Sequence, residues 1–137
     1  MERKQKPATY VAPMPKKKLY ALLREFKEIG GSVVMNEESE QHLDYLGAEA
    51  STLNGYLIML RRNPTRAAVY EELIHARQFR EKLCDGTSES ILLNEIAAKK
   101  ELLERAAEFE LTKEEIVQTD AQLKEYISQL CRIKGGI

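Results

Sequence analysis

Asn54-Gly55 separates two short stretches, residues 49–53 and 56–61, that suit extended backbone. Asn-Gly is the strongest local signal for a two-residue hairpin, because both residues tolerate positive φ. Strands are therefore expected near 49–53 and 56–61. Asn63-Pro64 follows at once. Asparagine caps a helix N-terminus, and proline suits the first helical position, where its missing N–H is not needed. Val69, Tyr70, Leu73, Ile74 and Ala76 then recur at helical spacing, which predicts a helix over 64–84 ended by Asp85-Gly86. A hairpin running straight into a helix commits the middle of the chain to a small sheet with a helix against it.

The flanking segments extend this pattern. Leu19, Leu22, Leu23, Phe26 and Ile29 predict a first helix that Gly30-Gly31 stops. Ser32 to Met35 reads as a short strand, and 36–46 suits a short polar helix ended by Gly47. Thr87 or Ser88 caps a helix over 88–109. Thr112 and Glu115 form a capping-box pattern ahead of a last helix over 113–133, which presents Ile116, Leu123, Ile127 and Leu130. The expected fold is α+β: a short antiparallel sheet with a β-hairpin, packed against several helices. Residues 1–15 read as a flexible basic N-terminal arm and 16–137 as one domain.

Composition excludes several functions. Residues 1–18 carry a net charge of +5 and the remainder −6, so no basic face suited to a phosphate backbone is expected beyond the arm. No nucleic-acid or membrane partner is expected. No apolar run approaches the roughly 20 residues that span a bilayer, and the basic head lacks the apolar core of a classical signal peptide. Either a cytoplasmic location or export by a specialised route fits. Cys84 and Cys131, the two cysteines, form neither a disulfide framework nor a CxxC pair.

The chemistry gathers in Glu71-Glu72-Leu73-Ile74-His75. On a helix, Glu71 and His75 share a face one turn apart, so both side chains reach a single ion. The sequence differs from a His-Glu-x-x-His metal helix by one exchange, Glu71 in place of the first histidine. A third ligand is needed to leave one position open on zinc. Glu95, in or beside the apolar stripe of the next helix, is the candidate, with Glu89 as a substitute. His42, the one other histidine, serves only if its segment folds over the metal helix. Two carboxylates and one imidazole admit zinc, and also manganese or iron. The ordinary alternative is an i,i+4 pair of Glu71 with His75 and of Glu95 with Lys99.

The stretch LNGYLIMLRRNPTRAAVYEELIHARQFR, residues 53–80, together with the later NEIAAKKELL, resembles the small zincin-like metallopeptidase domains found in bacterial polymorphic toxins. The resemblance covers residues 50–105 and extends to the last helix with its TKEE start. It implies a minimal zincin-like fold, with Glu71, His75 and Glu95 as metal ligands and Glu72 as general base. It implies metal-assisted hydrolysis of a protein or peptide substrate, with Glu72 activating water and passing a proton to the leaving amine. Arg77 or Arg80 is then a candidate to hold a substrate carboxylate, with a solvated surface position the equal alternative. An inhibitory, immunity-like protein is an implied partner. The exchange at Glu71 implies either a retuned metal or a degenerate relative without activity. The competing function is a non-catalytic helical protein–protein interaction domain.

Overall fold

The computed structural model describes residues 11–135. Its order is α1 (Lys16–Glu28), β1 (Ser32–Val34), α2 (Glu37–Leu46), β2 (Ala50–Asn54), β3 (Leu57–Leu60), α3 (Arg66–Arg80), α4 (Ser88–Glu104) and α5 (Lys113–Gly135). The arm expected over 1–15 lies, up to residue 10, outside the described residues. At its end Met14 is buried in the core, and its N–H donates to the Pro64 carbonyl at 2.8 Å.

The three strands form one sheet in the order β1-β3-β2. β2 and β3 are the expected antiparallel hairpin. β1 runs parallel to β3, with Val33 opposite Ile58, so the sheet is mixed rather than antiparallel. The reason lies in the connection: α2 and β2 intervene between β1 and β3, and a crossover lets a strand return in the same direction. Asn36 nucleates α2 through a reciprocal cap with Ser39, whose hydroxyl also donates to the Leu60 carbonyl at 3.0 Å. This ties α2 to the end of the central strand.

The hairpin forms for a different reason from the expected one. Neither Asn54 nor Gly55 has positive φ. A Cβ at Gly55 would sit 2.4 Å from Arg80 Cγ and 3.2 Å from the Arg80 amide nitrogen, so glycine is needed where the turn meets the end of α3. The Arg80 guanidinium donates to the Gly55 carbonyl at 2.7 Å and locks that approach. Gly55→Ala is expected to destabilise the fold by about 2 kcal/mol through overpacking. Thermal unfolding of the two proteins measures this, and equal midpoints would show that the turn is free to lift.

Two helices are shorter than their periodicity suggests. α3 begins at Arg66 with Thr65 as its cap, the Thr65 side chain accepting from the Ala68 N–H. Pro64 stays outside the helix, where its carbonyl takes the Met14 N–H. Lys82, at φ 57°, turns the chain away well before residue 84. α4 stops at Glu104 because the chain must bring Phe109 onto Tyr70. Their rings stack with centroids 3.9 Å apart, and both are buried.

The core lies between α1, the sheet, α3 and α4, and includes Leu19, Leu23, Ile58, Leu60, Val69 and Leu102. α5 lies along α4 and buries Glu115 and Thr119, leaving Ile116 and Ile127 exposed. Among the described residues no helix is long and apolar enough to cross a membrane. Both cysteines are free thiols.

Candidate metal centre

α3 packs against β2 and β3 on one side and α4 on the other. That placement opens a cleft of about 630 Å³ along the Glu71–His75 face. β2 and the segment before it form one wall, and α4 and α5 the other.

Glu71, His75 and Glu95 meet inside this cleft. One ligand atom from each lies within 4.8 Å of the others. His75 Nε2 is 3.5 Å from Glu71 Oε2 and 3.3 Å from Glu95 Oε1. Both are ion-pair distances if the imidazole is charged, but neither approach has hydrogen-bond geometry, and both His75 Nε2 and Glu95 Oε1 are buried without a hydrogen-bond partner. Buried polar atoms without partners are uncommon in folded proteins, and each costs about 1–3 kcal/mol. A divalent cation between them satisfies both, so these residues fit a metal ion.

The imidazole is held in place by a neighbouring amide. Gln78, on the next turn of α3, is 3% exposed. Its amide nitrogen donates to the Asn94 carbonyl at 3.0 Å, which turns its oxygen toward His75 Nδ1 at 2.8 Å. An amide oxygen only accepts, so Nδ1 keeps its proton in either charge state, and Nε2, which faces the two carboxylates, is the nitrogen that gives up its proton to bind a cation. Metal-binding histidines are commonly held this way through their distal nitrogen.

Charge around the cluster is finely divided. Burial alone would lower the His75 pKa, but the Glu71 and Glu95 carboxylates outweigh it and push the imidazole up to about 10. For Glu71, burial opposes ionisation, while His75 and the Lys99 ammonium outweigh burial and hold the carboxyl below its ordinary value. Lys99 Nζ stands 2.7 Å from Glu71 Oε1 and 2.7 Å from Gln122 Oε1. The ordinary i,i+4 pairing of Glu95 with Lys99 therefore does not form. Glu72 is 8% exposed, and its Oε1 accepts from the Thr52 hydroxyl at 2.7 Å. Burial pushes its carboxyl up to about 7 despite that hydrogen bond. Tyr126, from α5, lines the same cleft; burial and then the surrounding carboxylates raise its phenol.

The other candidates lie elsewhere. His42 is exposed and stacks on Tyr45. Glu89 pairs with Lys134 at 3.1 Å. Arg77 is engaged by Glu101 at 2.6 Å and Arg80 by the hairpin, so neither is among the residues lining the cleft. Sequence reasoning missed Thr52, Gln78, Lys99 and Gln122 at the site. Gln78 lay within reach of it, because position i+3 from a histidine on a helix is a neighbour.

No family model matches the chain, and neither a curated protein nor a solved structure does. The zincin-like resemblance therefore rests on the residues themselves. What stands independently of it is an α+β fold with a Glu/Glu/His cluster able to coordinate a divalent ion.

Proposed function

We propose that the chain is a metal-dependent peptidase of zincin-like type, acting on polypeptide substrates. The observation that carries this reading is the convergence of Glu71, His75 and Glu95, with one ligand atom of each within 4.8 Å of the others, and with His75 Nε2 and Glu95 Oε1 buried without a hydrogen bond. The competing reading is a structural ion pair of charged His75 with Glu71 and Glu95, at 3.5 and 3.3 Å; metal uptake separates the two.

Zinc, manganese and iron all accept this oxygen-rich donor set. A bound divalent ion would supply Lewis-acid polarisation of the scissile carbonyl. The remaining work falls to the chain's own groups. Glu72 takes the proton of the attacking water and passes it to the leaving amine, a role suited to a carboxyl whose pKa lies near neutrality. The Thr52 hydroxyl fixes the Glu72 carboxylate. β2 pairs only with β3 among the described residues and lines the cleft, so its outer edge offers backbone partners to an extended peptide.

Protein purified without chelator is expected to carry near one transition-metal ion per chain by elemental mass spectrometry. Folded His75→Ala and Glu95→Ala variants should lose it. The wild type should hydrolyse an unfolded protein substrate, and chelation should stop it. Binding should depend on pH with a definite sign. In the metal-free protein the His75 pKa is about 10, so at neutral pH a metal must displace a proton from Nε2. Zinc affinity is then expected to rise about tenfold per pH unit between about pH 6 and pH 8. A wild type that takes up no zinc, manganese or iron would overturn the reading. Metal uptake without proteolysis would leave a metal-binding domain that is not a peptidase.

A further inference from the structure

Lys99 occupies a core position of α4, only 4% exposed, where an ammonium is costly unless paired. Its Nζ lies 2.7 Å from Glu71 Oε1, while Glu71 Oε2 faces His75 Nε2. One oxygen of Glu71 is thus committed to a cation, and the other remains for the metal. Gln122 of α5 accepts a second Lys99 hydrogen bond at 2.7 Å and fixes the ammonium in place.

The charge of the donor set follows. Glu71 and Glu95 together present two negative charges and His75 none when neutral. A Glu71–Lys99 pair presents none, so the protein offers a divalent ion one net negative charge. A set of two neutral imidazoles and one carboxylate, common at catalytic zinc sites, offers the same. We propose that Lys99 is a positioning residue that makes Glu71 the electrostatic equivalent of a neutral histidine ligand, restricting it to one oxygen and leaving the bound ion with net positive charge. This inference rests on the metal-centre reading above. It explains how glutamate stands at that position without quenching the Lewis acidity that hydrolysis requires.

The test compares zinc affinities, by competition with a chromophoric chelator at one fixed pH, across four proteins. These are the wild type, Lys99→Met, Glu71→His and the double variant Glu71→His/Lys99→Met. Lys99→Met removes a cation beside the ion and frees Glu71 Oε1, so it should bind zinc about tenfold or more tightly than the wild type. A lysine with only a packing role predicts unchanged or weaker binding, and that result in a folded variant would overturn the proposal. Should Lys99→Met fail to fold, the remaining pair decides. In Glu71→His the ammonium has lost its carboxylate and repels the ion, so zinc should bind about tenfold or more weakly than to the double variant. Equal affinities in those two proteins would overturn the proposal. If the wild type binds manganese or iron but not zinc, the same comparison is made with that ion; absence of binding of all three by the wild type would overturn the metal centre itself and this inference with it.

Discussion

Glu72→Gln is expected to lower kcat/KM on a peptide substrate by about 10²–10⁴-fold, the range that a general base contributes. The change is nearly isosteric. The glutamine oxygen can still accept the Thr52 hydroxyl hydrogen bond that Glu72 accepts at 2.7 Å. What it cannot do is take up a proton. Metal content should stay at the wild-type level, because the three converging candidate ligands are other residues. Stability should move the opposite way from activity. Burial, the main cause, raises the Glu72 carboxyl to about 7 in the folded chain, against an ordinary value of 4.5. The folded state therefore holds a proton that the unfolded state has released, and stability falls as pH rises through that interval. Glutamine has no such loss. Above about pH 7 the metal-free variant should be more stable than wild type by about 2 kcal/mol, seen as a higher unfolding midpoint. Such opposed effects mark a residue retained for chemistry at a cost in stability. Undiminished proteolysis by Glu72→Gln would remove Glu72 from the mechanism, whatever the metal content.

Glu115→Ala is expected to be the most damaging single change outside the apolar core. Glu115 is 1% exposed. Its Oε1 accepts from the Thr112 N–H at 2.9 Å, and its own N–H donates to the Thr112 hydroxyl at 3.1 Å. Its Oε2 accepts from the Ala67 N–H at 2.7 Å, in the first turn of α3. One carboxylate thus satisfies N-terminal donors of two helices and complements both helix dipoles. Alanine leaves two donors without partners at about 1–3 kcal/mol each. A loss of about 3 kcal/mol is expected, or roughly 10 °C in the unfolding midpoint for a chain of this size. Glu115→Gln keeps one accepting oxygen and should fall between. Because Glu115 joins α5 to the start of α3, which carries Glu71 and His75 of the candidate metal centre, a large drop in metal affinity should accompany the alanine change. A midpoint within a degree or two of wild type would show that water replaces the carboxylate at both ends.

Short-range features were legible in the chain. Asn54-Gly55 marked the hairpin because turn chemistry is local, although the glycine serves contact with Arg80 rather than positive φ. Glu71 and His75 shared a face because helical spacing alone puts i and i+4 together. The Thr112–Glu115 cap was readable for the same reason. Helix ends were less so. Periodicity carried α3 to 84 and α4 to 109, but Lys82 and the Tyr70–Phe109 stack end them earlier.

By itself, then, the sequence determined the elements and the residue types that face one another within a single helix. Only the tertiary structure decided which partner each buried charge takes. Lys99 is four residues after Glu95, yet its ammonium goes to Glu71, on another helix. Thr52, on β2, reaches Glu72, and Glu115 reaches back to Ala67. The parallel pairing of β1 with β3 was equally out of reach. These contacts join residues far apart along the chain, and no local propensity encodes them. They follow from how the sheet and helices exclude water together. Once water is excluded, every buried charge must find a partner among whatever side chains the packing has brought near.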